Sequence, residues 1–197
     1  MATPTLKALQ SERTKAALVA AGRVQFAQHG YAGVSAEEVA AAANVTTGAV
    51  YHQFGSKRGL FLAVFEALEA ELTNRVARAA AEVGDPWLAF QAAALCFLDS
   101  STERDVRQIV LIDGRSVLGW DEWHAIMARY GLGMTRAVVG GLIEAKLLPA
   151  VPPDALSAII FGALNEAALF VATAENPVQA RDQTAAALGA VLQALSR

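Results

Sequence analysis

"SAEEVAAAANVTTGAVYHQFGSK", Ser35–Lys57, is the stretch whose reading decides the fold. Ser35 followed three residues later by Glu38 is a capping-box pattern, and it opens a helix predicted to run through Ala43. Asn44 is one of the few side chains that tolerates a left-handed backbone, so it ends that helix. Thr46 or Thr47 caps a second short helix reaching about Gln53, and Gly55 stops it. Ser56 then opens a long helix from Lys57 to about Val83, with Leu60, Phe61, Val64, Leu68 and Leu72 along one face. Two short helices joined by "ANV" and followed by a long one have helix-turn-helix geometry.

Working outward, Ala17, Leu18, Ala21, Val24 and Phe26 recur at helical spacing between about Ser11 and His29, and Gly30 sits at the C-terminal stop. Downstream, Asp85-Pro86 caps a helix running to about Ser100. "TERDV" starts another that ends near Asp113, and "DGRSVLGW" reads as a loop or broken turn. A long helix is predicted from about Asp121 to Leu148, loosened around Gly131 and Gly133. "PAVPPD" forces a stop, Ala155 to Ala174 is an apolar helix, and Asn176-Pro177 caps a last one to about Leu195. Alternating β-branched runs are absent, so the fold class is all-α with about nine helices.

The chain has 197 residues, 54% hydrophobic and 18% charged, which supplies a core and rules out general disorder. Mean hydropathy is +0.34. The apolar run Ala155–Asn165 is interrupted by Glu166 and reads as too short for a bilayer, so no membrane partner is expected. "MATPTLKALQSERTK" lacks the apolar segment of a secretory leader, and Cys96 alone can form no internal disulfide; both point to the cytoplasm. Net charge is -3, but residues 1 to 58 carry six basic side chains (Lys7, Arg13, Lys15, Arg23, Lys57, Arg58) against three acids (Glu12, Glu37, Glu38). A basic head on an acidic body suits a molecule that meets phosphate at one end, although ordinary scatter gives the same count.

Residues Arg13 to Phe65 resemble the N-terminal domain of the TetR family of bacterial transcriptional regulators. The match lies in "HGY" ending the first helix, the hydroxyl opening the second, and Val39, Ala40, Ala43, Val45, Gly48, Tyr51, Phe54, Ser56, Lys57 and Leu60. Two positions depart from the pattern: Gln53 stands where histidine is usual before the phenylalanine, and Glu37 puts an acid near the groove.

The residues support the same role independently. A helix entering a major groove needs short side chains on its first turn that still hydrogen-bond, which Thr46, Thr47, Gly48 and Ala49 provide. Tyr51, His52 and Gln53 follow one turn on, with Tyr51 expected at phosphate and Gln53 at phosphate or base; Lys57 and Ser35 supply flanking phosphate contacts. For the two threonines, capping alone is the competing role, and for Gly48 and His52 it is helix packing and a solvated surface position.

The resemblance implies a DNA-binding domain over residues 1–56 and a helical effector and dimerisation domain over 57–197. It further implies a homodimer on a palindromic double-stranded operator, paired through the last two helices as a four-helix bundle and released by an unidentified small, hydrophobic effector. Ile159, Gly162, Ala163, Ala167, Phe170, Leu188, Val191 and Leu195 are the candidate interface positions. The candidate effector site takes the aromatics and polar groups of the middle helices: Phe65, Phe90, Phe97, Asp113, Trp120, Trp123, Met127, Phe161 and Asn165. Arg115, His124 and Glu166 are further polar candidates, and for any single aromatic a plain core role competes.

Catalysis finds little support. Asp121 and His124 make half a metal site with no further ligand at a recognisable spacing, Cys96 has no neighbouring histidine, and "GSK" lacks the glycine of a phosphate loop. Neither an enzyme, a cofactor nor a metal is expected. The alternative kept open is a ligand-binding relative of the same fold without operator-specific DNA binding, against which Tyr51 and Lys57 speak.

Overall fold

The computed structural model describes residues 5–195. They form ten α-helices and one π-helical segment, with no β-strand among the described residues. In chain order these are α1 (Leu6–His29), α2 (Ala36–Ala42), α3 (Thr47–Phe54), α4 (Lys57–Ala81), α5 (Pro86–Ser100), the π segment (Val106–Asp113), α6 (Gly114–Leu118), α7 (Trp120–Arg129), α8 (Gly131–Glu144), α9 (Pro153–Thr173) and α10 (Pro177–Leu195).

The stop and start signals act as the sequence predicts. Ser35 and Glu38 form both halves of the capping box, Asn44 takes φ 54°, Gly30 and Gly55 end their helices at φ 70° and 75°, and Asp85 accepts from the Leu88 N–H. Three expectations change. Helix α1 begins at Leu6 rather than Ser11, where Thr5 accepts from the Ala8 N–H. "DGRSVLGW" contains helix α6, whose last carbonyls on Val117 and Leu118 accept from Arg58 of α4 at 3.1 and 2.7 Å. That donor is sixty residues away in sequence, give or take one, which no local reading anticipates.

The predicted Asp121–Leu148 helix is two helices. The chain turns at Tyr130, φ -113° and ψ -108°, between α7 and α8. Gly133 makes the turn possible: a Cβ there would lie 2.5 Å from the Ala128 carbonyl oxygen.

Helices α1 to α3 pack around Leu18, Phe26, Val39 and Val50, all fully buried, and the same core continues through Leu60, Phe61, Phe65 and Leu68 of α4 into Ile109 and Ile126. Burying each such side chain contributes roughly 1.5–3 kcal/mol, so the head and the body share one apolar continuum at α4. Phe26, Tyr31 and Phe61 meet edge-on or tilted, with ring centroids 5.2–6.0 Å apart. A second core, around Val139, Leu142, Leu148 and Leu192, joins α8, α9 and α10.

Helix α9 has 21 residues and is long and apolar enough to cross a bilayer by length and composition, which corrects the reading of that run as too short. In the structure it packs against α5, α8, α10 and the π segment.

Candidate nucleic-acid interface and ligand cavity

Helix α3 turns its apolar side inward and leaves the other open. Val50 is fully buried, whereas Thr46, Gly48, Tyr51 and His52 are exposed and Thr47 and Ala49 half-buried. Thr46 occupies the cap position, yet its side chain makes no capping hydrogen bond. Its hydroxyl is therefore uncommitted, as is that of a residue held for an outside partner.

The remaining predicted residues have internal work. The Ser35 hydroxyl donates to Glu38 Oε2 at 2.8 Å and accepts from the Glu38 N–H at 3.2 Å. The Ser35 N–H, donating to Glu38 Oε2 at 2.7 Å, and then the Ser35 hydroxyl hold the Glu38 carboxyl below the usual carboxylate range. Lys57 Nζ donates to the carbonyls of Tyr31 and Val34 at 3.0 and 2.9 Å and lies 4.1 Å from the centre of the Tyr31 ring. Gln53 Nε2 donates to Ser11 Oγ at 2.9 Å, fastening α3 to α1.

That last bond reveals residues the sequence reading counted only as charge. Lys7 and Lys15 stand four residues either side of Ser11, on the face of α1 that meets α3. With Arg13 they are exposed, and no carboxylate of the described residues pairs with them. Arg23 and Arg58 are spent internally, the first on Glu71 and Asp105, the second on Glu122 at 2.7 Å. The signal available in sequence was the spacing Lys7, Ser11, Lys15.

In the body, α4, α5, α7, α8 and α9 enclose a cavity of about 400 Å³. Five predicted ligand residues line it: Phe90, Phe97, Met127, Phe161 and Asn165. Phe65 does not; it is fully buried against Phe61 and Gly114 and belongs to the core. Nor does Asp113, whose carboxylate accepts from the Tyr31 N–H at 2.8 Å and from Gln108 Nε2 at 3.1 Å, joining the π segment to the loop after α1.

Trp120 and Trp123 face a separate cavity of about 320 Å³ with His124, Arg115 and Glu166. Arg115 lies 4.8 Å from the Trp120 ring centre. Phe161 and Asn165 wall both cavities.

The residue missed altogether is Glu69. It lines the larger cavity, is 4% exposed, and is pushed up to about 7 by burial. Its place on α4, one residue after Leu68 on the apolar face, was the available signal.

Two known sequence patterns match parts of the chain. The sequence pattern of the bacterial regulatory proteins of the tetR family matches residues 18–64, and that of the tetracyclin repressor-like C-terminal domain matches residues 87–195. The chain belongs to the TetR family. Among solved structures, a TetR-family transcriptional regulator from Pectobacterium atrosepticum is 32% identical, with a TM-score of 0.85 over 98% of both chains. The Tn10 TetC protein of Escherichia coli is 28% identical over 153 residues, 76% of this chain and 75% of that protein. RolR, solved in complex with resorcinol, shares the fold at 21% identity and a TM-score of 0.73, covering 95% of this chain and 90% of that one.

In this TetR-family regulator the last two helices leave an apolar face uncovered. Ile159 is 68% and Phe170 57% exposed on α9, with Gly162 and Ala163 exposed between them, and Val191 is 57% exposed on α10. Three predicted interface positions turn inward instead: Leu188 is buried in the α8–α10 core, Leu195 packs partly against it, and Ala167 packs on Leu98 and Val171. Helical periodicity sorts them, since 159, 163 and 170 fall on one face and 164, 168 and 171 on the other.

Cys96 is half-buried and its thiol is pushed up by burial, the environment of a packed side chain rather than a nucleophile.

Proposed function

We propose that this TetR-family protein is a ligand-responsive repressor that reads a palindromic operator as a homodimer and lets go of it when a small, largely apolar molecule fills the α4–α9 cavity. Residues 1–56 are the DNA-reading unit and 57–197 the effector and pairing unit. The observation carrying the DNA half is the open face of α3, with Thr46, Thr47, Gly48, Ala49, Tyr51 and His52 on a helix backed by fully buried Val50.

Thr46, Thr47 and Gly48 meet base edges, Tyr51 and His52 meet phosphate or base, and Lys7, Arg13 and Lys15 add phosphate contacts from α1. Lys57, Ser35 and Gln53 hold the reading helix in place through the loop carbonyls, the capping box and Ser11; the third N–H of Lys57 remains for phosphate. A symmetric operator requires two heads at fixed spacing, and the uncovered α9 and α10 face, with Ile159, Phe170 and Val191, is the surface that pairs them.

Ligand control follows from how the cavity is wired. Met127 of α7 lines it, and α7 is tied to the start of α4 through the Arg58–Glu122 pair. Asp113 bridges the π segment to Tyr31, whose carbonyl also holds Lys57. A ligand that fits the cavity best in a different α4–α7 arrangement shifts the separation of the heads, and by linkage DNA weakens ligand binding by the same factor.

The test is a selection of duplexes from a random pool with the full chain, followed by fluorescence anisotropy on the recovered sequence. The expected outcome is an inverted repeat, bound about a hundredfold more weakly by Tyr51→Ala, Lys15→Ala and steeply weakened by salt. Recovery of no common sequence, or equal binding by the variant, sinks the reading and favours the relative without operator binding.

A further inference from the structure

The larger cavity has an almost wholly apolar wall, broken by Glu69, Thr73, Thr135 and Asn165. Glu69 is the single ionisable side chain lining it; the contributions of α5, α7, α8 and α9 include no Asp, Glu, Lys, Arg or His. Among the described residues no hydrogen bond or ion pair satisfies the Glu69 carboxylate, and burial alone displaces its titration.

The other polar neighbours are neutral: Thr73, one turn along α4 from Glu69, Thr135 and Asn165. Asn165 Nδ2 donates to the Phe161 carbonyl at 2.9 Å, leaving Oδ1 without a donor, and the Thr135 hydroxyl donates to the Gly131 carbonyl at 2.8 Å. The cavity therefore offers one potential negative charge and neutral polar groups, with no cation among them, set in walls that are otherwise apolar. An unpaired carboxylate in such a place is costly unless it takes up a proton or a cation arrives with the ligand.

We propose that this cavity takes a lipophilic monocation, an ammonium carried on an apolar body, with the Glu69 carboxylate as its counter-ion. The apolar body displaces water from Phe90, Phe97 and Phe161, and the ammonium N–H groups meet Glu69 and Asn165 Oδ1. An acid of the same shape is rejected, because no cation lines the cavity and its charge would face Glu69. A neutral alcohol binds by its chain but leaves the carboxylate unpaired. The proposal rests on the cavity being the effector site and adds the chemical class of what enters it.

Binding of octylamine, octanol and octanoate to the full chain, followed by calorimetry, separates the three classes with one apolar body. Near pH 8 octylamine is expected to bind at least about tenfold more tightly than octanol, and octanoate more weakly than both. Glu69 titrates at about 7 and no other charged group lines the cavity, so the amine affinity should fall about thirtyfold between about pH 8 and about pH 5.5. Octanol, having no charge to pair, should show no such fall.

Glu69→Gln is expected to erase both the amine preference and its pH dependence while octanol still binds. If the variant loses octanol as well, the wild-type pH profile decides alone. Octanol or octanoate binding as tightly as the amine, an amine affinity indifferent to pH, or no binding by any of the three overturns the proposal. The operator duplex tells this failure from the other one. Glu69-dependent amine binding that leaves the duplex bound removes the effector reading but keeps the ligand class, whereas release of the duplex by octanoate or octanol alone does the reverse.

Discussion

At the scale of single residues, Glu69 is a carboxylate on the buried side of α4 with a cavity in front of it and no partner beside it. Its carboxyl keeps a proton up to about pH 7 in the folded chain, against about 4.5 when unfolded. Between those values the folded state binds more protons, so stability contributed by the neutral form is full below about 4.5 and is lost as pH rises to about 7. Glu69→Gln has no proton to lose. Urea unfolding should show the variant and wild type matched near pH 4 and the variant more stable by about 3 kcal/mol near pH 8. A difference between the two that does not change with pH would remove this account of Glu69. The residue was hidden in the sequence because a glutamate on a long helix reads as surface, and only packing from four other helices makes it interior.

At the scale of elements, the α3–α4 junction sets the angle at which the reading helix leaves the body. Gly55 turns the chain at φ 75°, Ser56 caps α4 by accepting from the Gly59 N–H at 3.0 Å, and α4 then starts so close to α3 that a Cβ on Gly59 would lie 2.0 Å from the Phe54 carbonyl oxygen. Gly59→Ala must therefore move α4 or unwind the end of α3. It is expected to cost about 1–3 kcal/mol in thermal unfolding and to weaken operator binding beyond that loss, since the reading helix is re-aimed. Unchanged melting and unchanged binding would mean that the junction yields freely.

The capping box, Asn44 and Gly55 made α2 and α3 legible in sequence, because each helix end is written in the two or three residues that form it. The break at Tyr130 was legible only as a loosening around Gly131 and Gly133, because it depends on Gly133 meeting Ala128, and the helix α6 was not legible, because Arg58 reaches its last carbonyls across from α4.

At the scale of the whole molecule, one surface is unfinished. The outer faces of α9 and α10 carry Ile159, Phe170 and Val191 in solvent, and pairing with a second copy is the arrangement a twofold operator calls for. The double variant Ile159→Glu, Phe170→Glu places four charges in such an interface across the two copies. Light scattering after size exclusion should find the wild type as a dimer and the variant as a monomer, with operator affinity reduced at least about a hundredfold as the two half-sites lose their link. A monomeric wild type, or a variant that still pairs, would assign this face elsewhere.

By itself the sequence determined the all-α class, the three-helix head and the open first turn of α3, because these depend on caps, glycines and helical spacing within a few residues of one another. It also brought out the aromatics that wall the cavity, though not which of them do so: Phe90, Phe97 and Phe161 face the space, Phe65 fills the core, and Trp120 and Trp123 line a different one. Tertiary structure alone decided that, together with the internal duties of Lys57, Gln53 and Asp113 and the isolation of Glu69. The physical reason is distance along the chain. A cap answers to its neighbours, whereas burial, a cavity wall and an unpaired charge answer to helices that come together only when the chain has folded.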